Sequence, residues 1–175
     1  MARVPDTSGE GAVAERIRAR RPGGVLRPVD KVLLHSPRVA DGWNSLLGAI
    51  RGGMSLRADL REIVVLRIAV LNDATYEWAS HEQDAAAAGL TTAHLAALRR
   101  PDAAEAPELD DEQRLAVVLT DTMTREVAVP EALLEDVAAR LGTEQLVELA
   151  VTVAAYNMVS RLVVALGVEV TEVAR

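Results

Sequence analysis

Apolar residues recur at intervals of three or four through most of the chain, which is the spacing of amphipathic helices. Glycine, proline and small polar residues separate these segments at positions typical of helix ends. No long stretch alternates apolar and polar residues as a half-buried strand does. The pattern therefore predicts an all-α helical bundle of about seven to eight helices, the longest of which are expected at residues 37–51, 59–72, 75–89, 110–125 and 144–166.

Proline and glycine mark several helix boundaries. Proline suits the first turn of a helix, and glycine suits the residue that follows the last turn. Pro37 is therefore expected to open a helix that residues 52–53 end, and Pro130 one that Gly142 ends before the helix at 144–166 begins. The helix from Pro37 is predicted to bury five apolar side chains: Val39, Trp43, Leu46, Leu47 and Ile50.

Residues 60–90 combine the most apolar sequence of the chain with ionisable and aromatic side chains. The helix at 59–72 is apolar on nearly every side, and a helix of that kind is usually buried. It nevertheless contains Glu62 and Arg67. A buried charge costs on the order of several kcal/mol unless it is paired, so these two residues are candidates for a special role.

The next helix is predicted to begin with Thr75 as its N-cap. Within it, Glu77 and His81 are four residues apart and Trp78 and His81 are three apart, so the three share one face. An imidazole can carry a proton near neutral pH, and Glu62 or Glu77 can orient it. We therefore predict His81, Glu62 and Glu77 as catalytic residues. The alternative is a histidine hydrogen-bonded for packing and a glutamate ion-paired to arginine.

Four stretches carry a resemblance to a known family: LLHSPRVADGWNSLLGAIRGGMSL, LREIVVLRIA, YEWASHEQDAAAAGL and LVELAVTVAAYNMVSRLVVALGVEV. They are similar to the carboxymuconolactone decarboxylase family, which shares a superfamily with the alkylhydroperoxidase D-like proteins. The resemblance extends over about residues 26–170. It implies a helical bundle that assembles as a homo-oligomer (dimer, trimer or hexamer), with pockets at or near the subunit contacts.

The chain departs from the thiol peroxidases of that superfamily at the residues that matter most. Those members carry a glutamate, two cysteines three apart and a histidine at fixed spacing. Glu62 and His81 fall on the two end positions, whereas Ala74 and Glu77 fall on the cysteine positions. The chain contains no cysteine, so disulfide-based peroxide reduction is excluded. The resemblance that remains is to a cysteine-free, decarboxylase-like branch.

Aromatic and basic residues supply candidates for substrate binding. Aromatic rings can form a wall against a planar substrate, and the planar fork of arginine binds carboxylates well. Core packing for the rings and ion pairing for the arginines are the simpler alternatives, and His35, beside the Ser36-Pro37 helix start, is more typical of a structural residue. The candidates for substrate binding are Tyr76, Trp78, Tyr156, Arg67, Arg161 and His35.

Charge and composition limit the classes of partner that we expect this protein to bind. The net charge of −7 argues against general nucleic-acid binding. The uncharged run at 149–160 is short of the roughly 20 residues of a membrane span, so no membrane partner is expected. A metal held by Glu62, Glu77, His81 and one more histidine is an alternative, but no HExxH or H-x3-H spacing is present. We therefore expect no cofactor and a small-molecule substrate.

The predicted organisation is one domain with two short ends. Residues 1–25 are expected to form an N-terminal arm with a short helix, 26–170 the decarboxylase-like domain, and 171–175 a C-terminal tail. The N-terminal sequence lacks the apolar core of a signal peptide, so a cytoplasmic location is expected. A high apolar content and two helices that are apolar nearly all round agree with a homo-oligomer.

Three functions fit these observations. The first is acid/base chemistry (decarboxylation, isomerisation or ring chemistry) on a small carbonyl, lactone or keto-acid compound, with His81 as proton carrier. The second is a metal-dependent enzyme, such as an oxygenase, that uses the same Glu/His cluster. The third is a non-catalytic oligomeric binding protein in which the cluster is structural. Fold alone does not choose among them, because one fold hosts several chemistries.

Overall fold

The computed structural model describes residues 3–169, which form eight α-helices and no strand. The prediction of an all-α fold is therefore confirmed. Two single-turn 3-10 segments occur at Pro22–Gly24 and Ala103–Glu105. The helices are α1 (Ala12–Arg20), α2 (Pro28–Leu33), α3 (Pro37–Gly52), α4 (Ala58–Leu71), α5 (Thr75–Ala87), α6 (Thr92–Leu98), α7 (Asp111–Arg125) and α8 (Glu131–Leu166).

The chain divides into two compact units, one comprising Met1–Met54 with Val163–Arg175 and the other Ser55–Leu162. The predicted boundary between an arm at 1–25 and a domain at 26–170 stays a prediction. The predicted tail at 171–175 lies outside the described residues.

The first unit contains α1, α2 and α3. Helix α3 begins at Pro37 as predicted and buries Trp43, Leu47 and Ile50. The prediction that Val39 and Leu46 are also buried is wrong, because both side chains are exposed. The apolar face of α3 is wider than the part of it that α1 and α2 cover, so two of its apolar side chains remain on the surface.

The second unit is organised around α4, which packs against α5 and α7. Nine of the residues of α4 are buried, including Glu62 and Arg67, so the prediction of a helix buried on nearly every side is confirmed. Because Glu62 and Arg67 lie among the buried residues of α4, both charges must be satisfied inside the protein. The side chains that pair with these two charges are therefore expected around α4.

A tight turn joins α4 to α5. Asp73 lies in the left-handed region at φ 51°, a conformation that aspartate adopts more readily than most residues. The N-cap of α5 is Ala74 and not Thr75, which is instead the first helical residue. The predicted cap is wrong by one residue because the buried Ala74 already occupies the turn. Gly89, at φ +94°, follows the end of α5.

Helix α8 is broken at Gly142, whose φ of 82° and ψ of 163° lie outside the helical region. The predicted helix end at this glycine is therefore found in the structure, with a second helical segment beginning directly after it. Within the described residues, α8 is the one helix whose length and composition would allow it to cross a membrane. Half of its most apolar window is buried inside the protein, as in the core helix of a globular fold.

Candidate functional site

A buried hydrogen bond joins α4 to α5. The imidazole of His81 lies with Nδ1 2.8 Å from Oε2 of Glu62, and each residue is only 2% exposed. A carboxylate can only accept, so Nδ1–H donates when Glu62 is ionised. The bond fixes the ring orientation and leaves Nε2 of the neutral ring as an acceptor.

Glu62 is held in its ionised form. Its other oxygen, Oε1, accepts a hydrogen bond from Nε of Arg61 at 3.0 Å. Burial raises the pKa of Glu62, but the hydrogen bond from His81, the charge of the imidazole when it is protonated, and the hydrogen bond and charge of Arg61 outweigh it. Together they hold this pKa below its ordinary value. The buried charge on α4 is therefore paired, as its position requires.

Glu77 stands on the other side of the ring. It is 3% exposed and lies one helical turn before His81 on α5, with its Oε2 3.7 Å from Nε2 of His81. Within residues 3–169, Nε2 is a buried atom with no hydrogen-bond partner. The ring of Tyr156, from α8, meets the imidazole edge-on at a centroid distance of 5.3 Å. The imidazole is thus confined between Glu62, Glu77 and Tyr156.

The three predicted catalytic residues therefore form a row in the order Glu62, His81, Glu77. This order is that of an orienting carboxylate, an imidazole and a group with which the imidazole can exchange a proton. The distance of 3.7 Å exceeds that of a hydrogen bond, and catalytic hydrogen bonds are often long before substrate binds. The row can move one proton between Nε2 and the Glu77 carboxyl while Glu62 balances the charge.

The two aromatic candidates on α5 have different surroundings. Tyr76 is buried, whereas Trp78 is half-buried and borders a surface depression of about 270 Å³. The guanidinium of Arg99 lies over the Trp78 ring, 3.9 Å from its centroid. Trp78 also donates from Nε1 to Glu82 at 3.2 Å. The depression thus offers a flat ring and a cation side by side.

Arg67 is fully engaged within the protein. Its Nε and Nη2 each donate to a carboxylate oxygen of Asp121 at 2.6 Å. Its Nη1 donates to the carbonyl oxygens of Leu98 and Arg100 at 2.8 and 2.7 Å. Arg67 therefore ties α4 to α7 and to the end of α6, and its pairing is with Asp121 and not with Glu62. A role in substrate binding stays a prediction.

The structure does not bring Arg161 to the row, and the role predicted for His35, which belongs to the first unit, stays a prediction. Arg161 is exposed on α8 and has no hydrogen bond or ion pair to any residue of the described chain. His35 is exposed in the first unit, where its Nε2 lies 2.6 Å from the carbonyl oxygen of Pro5. Tyr156 is the one candidate from α8 that contacts the imidazole.

Two residues near the site were not predicted from the sequence. Asp84 lies three residues after His81 on α5, and its carboxylate forms a group with Glu62 and His81 whose potential metal-ligand atoms are all within 4.8 Å of one another. The helical spacing from His81 could have identified it. Arg99 belongs to the turn after α6, and no local pattern relates it to Trp78.

The fold and the row define the class of protein: an all-helical bundle with a buried glutamate and histidine on two adjoining helices. It is similar to the solved alkylhydroperoxidase AhpD core of an uncharacterized peroxidase-related protein from Ralstonia eutropha JMP134. Those two chains share 17% identity and a TM-score of 0.84, over 98% of this chain and 93% of that chain.

A second solved structure has the same fold. It is an uncharacterized peroxidase-related protein from Silicibacter sp. TM1040, with 18% identity and a TM-score of 0.75, over 85% of this chain and 78% of that chain. Among curated proteins none matches the sequence. The model of the Carboxymuconolactone decarboxylase family matches residues 37–107, which include α4 and α5. The match over residues 37–107 and the shared fold both agree with the predicted resemblance to this family, and the chain contains no cysteine.

Proposed function

We propose that the protein is an acid/base enzyme that acts on a small carbonyl, lactone or keto-acid compound. The observation that supports this most is the buried row in which Glu62 fixes Nδ1 of His81 while Nε2 faces Glu77. The row buries three ionisable side chains next to one another, although burying each of them is costly. A buried acceptor without a hydrogen bond is costly, and such costs are retained where chemistry needs them.

Each residue of the row has a separate task. Glu62, kept ionised by Arg61, holds the ring with Nδ1 protonated. Nε2 of His81 then takes a proton from the Glu77 carboxyl or returns one to it. The carboxylate of Glu77 removes a proton from carbon next to the substrate carbonyl, and the electron pair of that C–H bond forms an enolate. Return of the proton at another carbon completes an isomerisation.

Decarboxylation of a β-keto acid uses the same groups, but here they donate a proton to carbon and do not first remove one. The bond between the α-carbon and the carboxylate breaks, carbon dioxide leaves, and the electron pair forms the enolate. The protonated member of the Glu77–His81 pair then delivers its proton to the α-carbon. No oxidant or reductant is consumed, which suits a chain without cysteine.

The depression beside Trp78 and Arg99 is the proposed position of the substrate anion. A guanidinium over an indole face leaves its outer N–H groups free to bind a carboxylate, and the flat indole accepts a planar ring. The depression is not lined by Glu62, Glu77 or His81, which are buried. The proposal therefore requires an opening beside Trp78, three residues before His81 on α5, when substrate binds.

The test measures proton exchange, because an acid/base enzyme exchanges protons with carbon acids even when the full reaction is slow. A panel of β-keto acids and lactones is incubated in D₂O with the protein, and deuterium incorporation and carbon dioxide release are followed. We expect Glu77→Gln and His81→Gln to lower the rate by about 10²–10⁴-fold on the substrate that the wild type accepts. Glu135→Gln, which changes an exposed acid on α8, is the matched control. Equal rates in all four proteins would refute the assignment.

A metal-dependent reaction is the second candidate, favoured by the group of Glu62, His81 and Asp84. Two carboxylates and one imidazole suit divalent iron, manganese or zinc. Against it, Glu62 and His81 are already joined by a 2.8 Å hydrogen bond, and Glu62 also accepts from Arg61. Asp84→Asn separates the two functions, because it removes a metal ligand and leaves the row intact. Less than about a tenth of an equivalent of any transition metal in protein prepared without chelator would exclude this candidate.

A further inference from the structure

A stripe of exposed residues runs along the second segment of α8, after the break at Gly142. It has six members spaced alternately three and four apart, and every one is exposed. Most residues between them are buried or half-buried, so the exposed face of this segment is a single line and not a broad surface. We call this line the α8 stripe; it consists of Glu144, Val147, Val151, Ala154, Met158 and Arg161.

The α8 stripe is apolar where a surface helix is normally polar. Val147 is 56% exposed, Val151 40% and Met158 41%, and Ala154 lies between the last two. Spacing of three and four residues is the seven-residue repeat with which two helices pack side by side. An exposed apolar helix face of this kind marks a surface on which another helix can pack.

The ends of the stripe carry opposite charges. Glu144 stands at one end and Arg161 at the other, and neither has an ion pair or hydrogen bond to a residue between 3 and 169. Two copies aligned in parallel would place like charges opposite each other at both ends. Two copies aligned antiparallel place Glu144 opposite the partner's Arg161 twice.

We propose that the α8 stripe is a two-fold contact in which it pairs antiparallel with the same stripe of a second copy of this chain. In this register Val147 lies opposite the partner's Met158, and Val151 opposite the partner's Ala154. Each apolar residue meets an apolar residue, each charge meets its opposite, and the two-fold axis passes between residues 152 and 153. The contact is independent of the proposed reaction.

The length of the stripe fits this occupant better than a bilayer. Eighteen residues of helix extend for about 27 Å, which gives two full repeats and part of a third to each copy. A membrane span would need apolar residues on all faces exposed to lipid, whereas half of the apolar window of α8 is already covered by the protein itself. A single exposed line leaves room for one more helix.

Cysteine cross-linking tests the register directly, because the natural chain contains no cysteine. In the double variant V147C/M158C, each new thiol faces one of the partner's thiols, and oxidation is expected to give a covalent dimer. In V147C alone the two thiols lie about 16 Å apart along the helices, beyond the reach of a disulfide. Cross-linking of V147C alone would indicate a parallel pair and overturn the proposal. Absence of cross-linking in both would do the same.

Charge reversal and light scattering test the contact in solution. We expect a wild-type dimer that Glu144→Arg or Arg161→Glu weakens by about tenfold, because each reversal makes two contacts repulsive. The double variant E144R/R161E should recover wild-type dimerisation. Val151→Asp should abolish the dimer while leaving the circular dichroism unchanged. Val127→Asp, at an exposed valine outside α8, is the matched control. A monomeric wild type, a double variant as weak as the single ones, or wild type that floats with lipid vesicles would each overturn the proposal.

Discussion

Replacing Arg67 by methionine is predicted to destabilise the protein through the loss of a buried ion pair. Arg67 is 1% exposed, and methionine fills much of its volume without its charge. The change leaves the Asp121 carboxylate, which is 18% exposed, without its two 2.6 Å hydrogen bonds, and it removes the donor to the carbonyls of Leu98 and Arg100. Breaking one side of such a pair costs about 3–5 kcal/mol. Arg125, 3.2 Å from Asp121, offsets part of it, so we expect about 3 kcal/mol.

Urea and thermal unfolding measure this cost. For a chain of this length, about 3 kcal/mol corresponds to a fall of about 6–12 °C in Tm. The urea midpoint should fall with an unchanged dependence on denaturant. Asp121→Asn alone should also destabilise, because it leaves the Arg67 charge buried without its partner. The double variant should lose at least about 1 kcal/mol less than the sum of the two single variants, since the two side chains contact each other.

The same variant decides between the two roles that the sequence allows for Arg67. Arg38→Met, at an exposed arginine of α3, is the control and should change stability by no more than about 0.5 kcal/mol. If R67M unfolds like the wild type but raises KM for an anionic substrate, the ion-pair argument is refuted and Arg67 binds substrate. A large loss of stability, with KM unchanged at a temperature where both proteins are folded, supports the structural role.

Three further changes have definite expected outcomes. Glu62→Gln should destabilise by about 1–3 kcal/mol at neutral pH. Because the pKa of Glu62 in the folded protein lies below its ordinary value of 4.5, the stability advantage of the wild type should be complete above pH 4.5 and shrink as the pH falls through the folded pKa. Urea unfolding from pH 7 to pH 3 measures this dependence. Gly142→Ala should cost about 1–3 kcal/mol, since φ 82° and ψ 163° suit glycine alone, and calorimetry would show no loss if the break relaxes into a continuous helix. Glu148 accepts three hydrogen bonds from Ser55 and Leu56 just before α4, so Glu148→Ala should speed amide exchange there, and unchanged exchange would contradict this role.

Local rules explain most of what could be predicted about the fold. The start of α3 at Pro37 and the break at Gly142 follow from proline and glycine geometry, which acts within one turn of helix. The errors at Val39 and Leu46 arise because the hydrophobic pattern identifies an apolar face but not how much of it neighbouring helices cover.

Only those parts of the site that depend on helix spacing or on the family resemblance could be predicted from the sequence. The spacing of Glu77 and His81 on one helix follows from helix geometry, whereas the placement of Glu62 beside His81 came from the family resemblance. The partner of Arg67 could not be predicted, because Asp121 is 54 residues away and only tertiary packing brings the two together. Arg99 over Trp78 depends on packing in the same way.

The two buried charges of α4 show why burial alone does not identify a functional residue. Glu62 and Arg67 lie on the same apolar helix and incur the same kind of desolvation cost. Hydrogen bonds offset the desolvation cost of Arg67, because its donors are directed at one carboxylate and two carbonyl oxygens, as expected of a residue with a purely structural role. Glu62 is also paired, but its pairing orients an imidazole whose other nitrogen faces Glu77 without a hydrogen bond in the described chain. The hydrogen bond from His81 satisfies the buried charge of Glu62. Nε2 of the same ring faces the Glu77 carboxyl without a hydrogen bond to residues 3–169, so it adds nothing to stability. We therefore expect substitutions at Arg67 to change stability first, and substitutions at His81 and Glu77 to change proton transfer first.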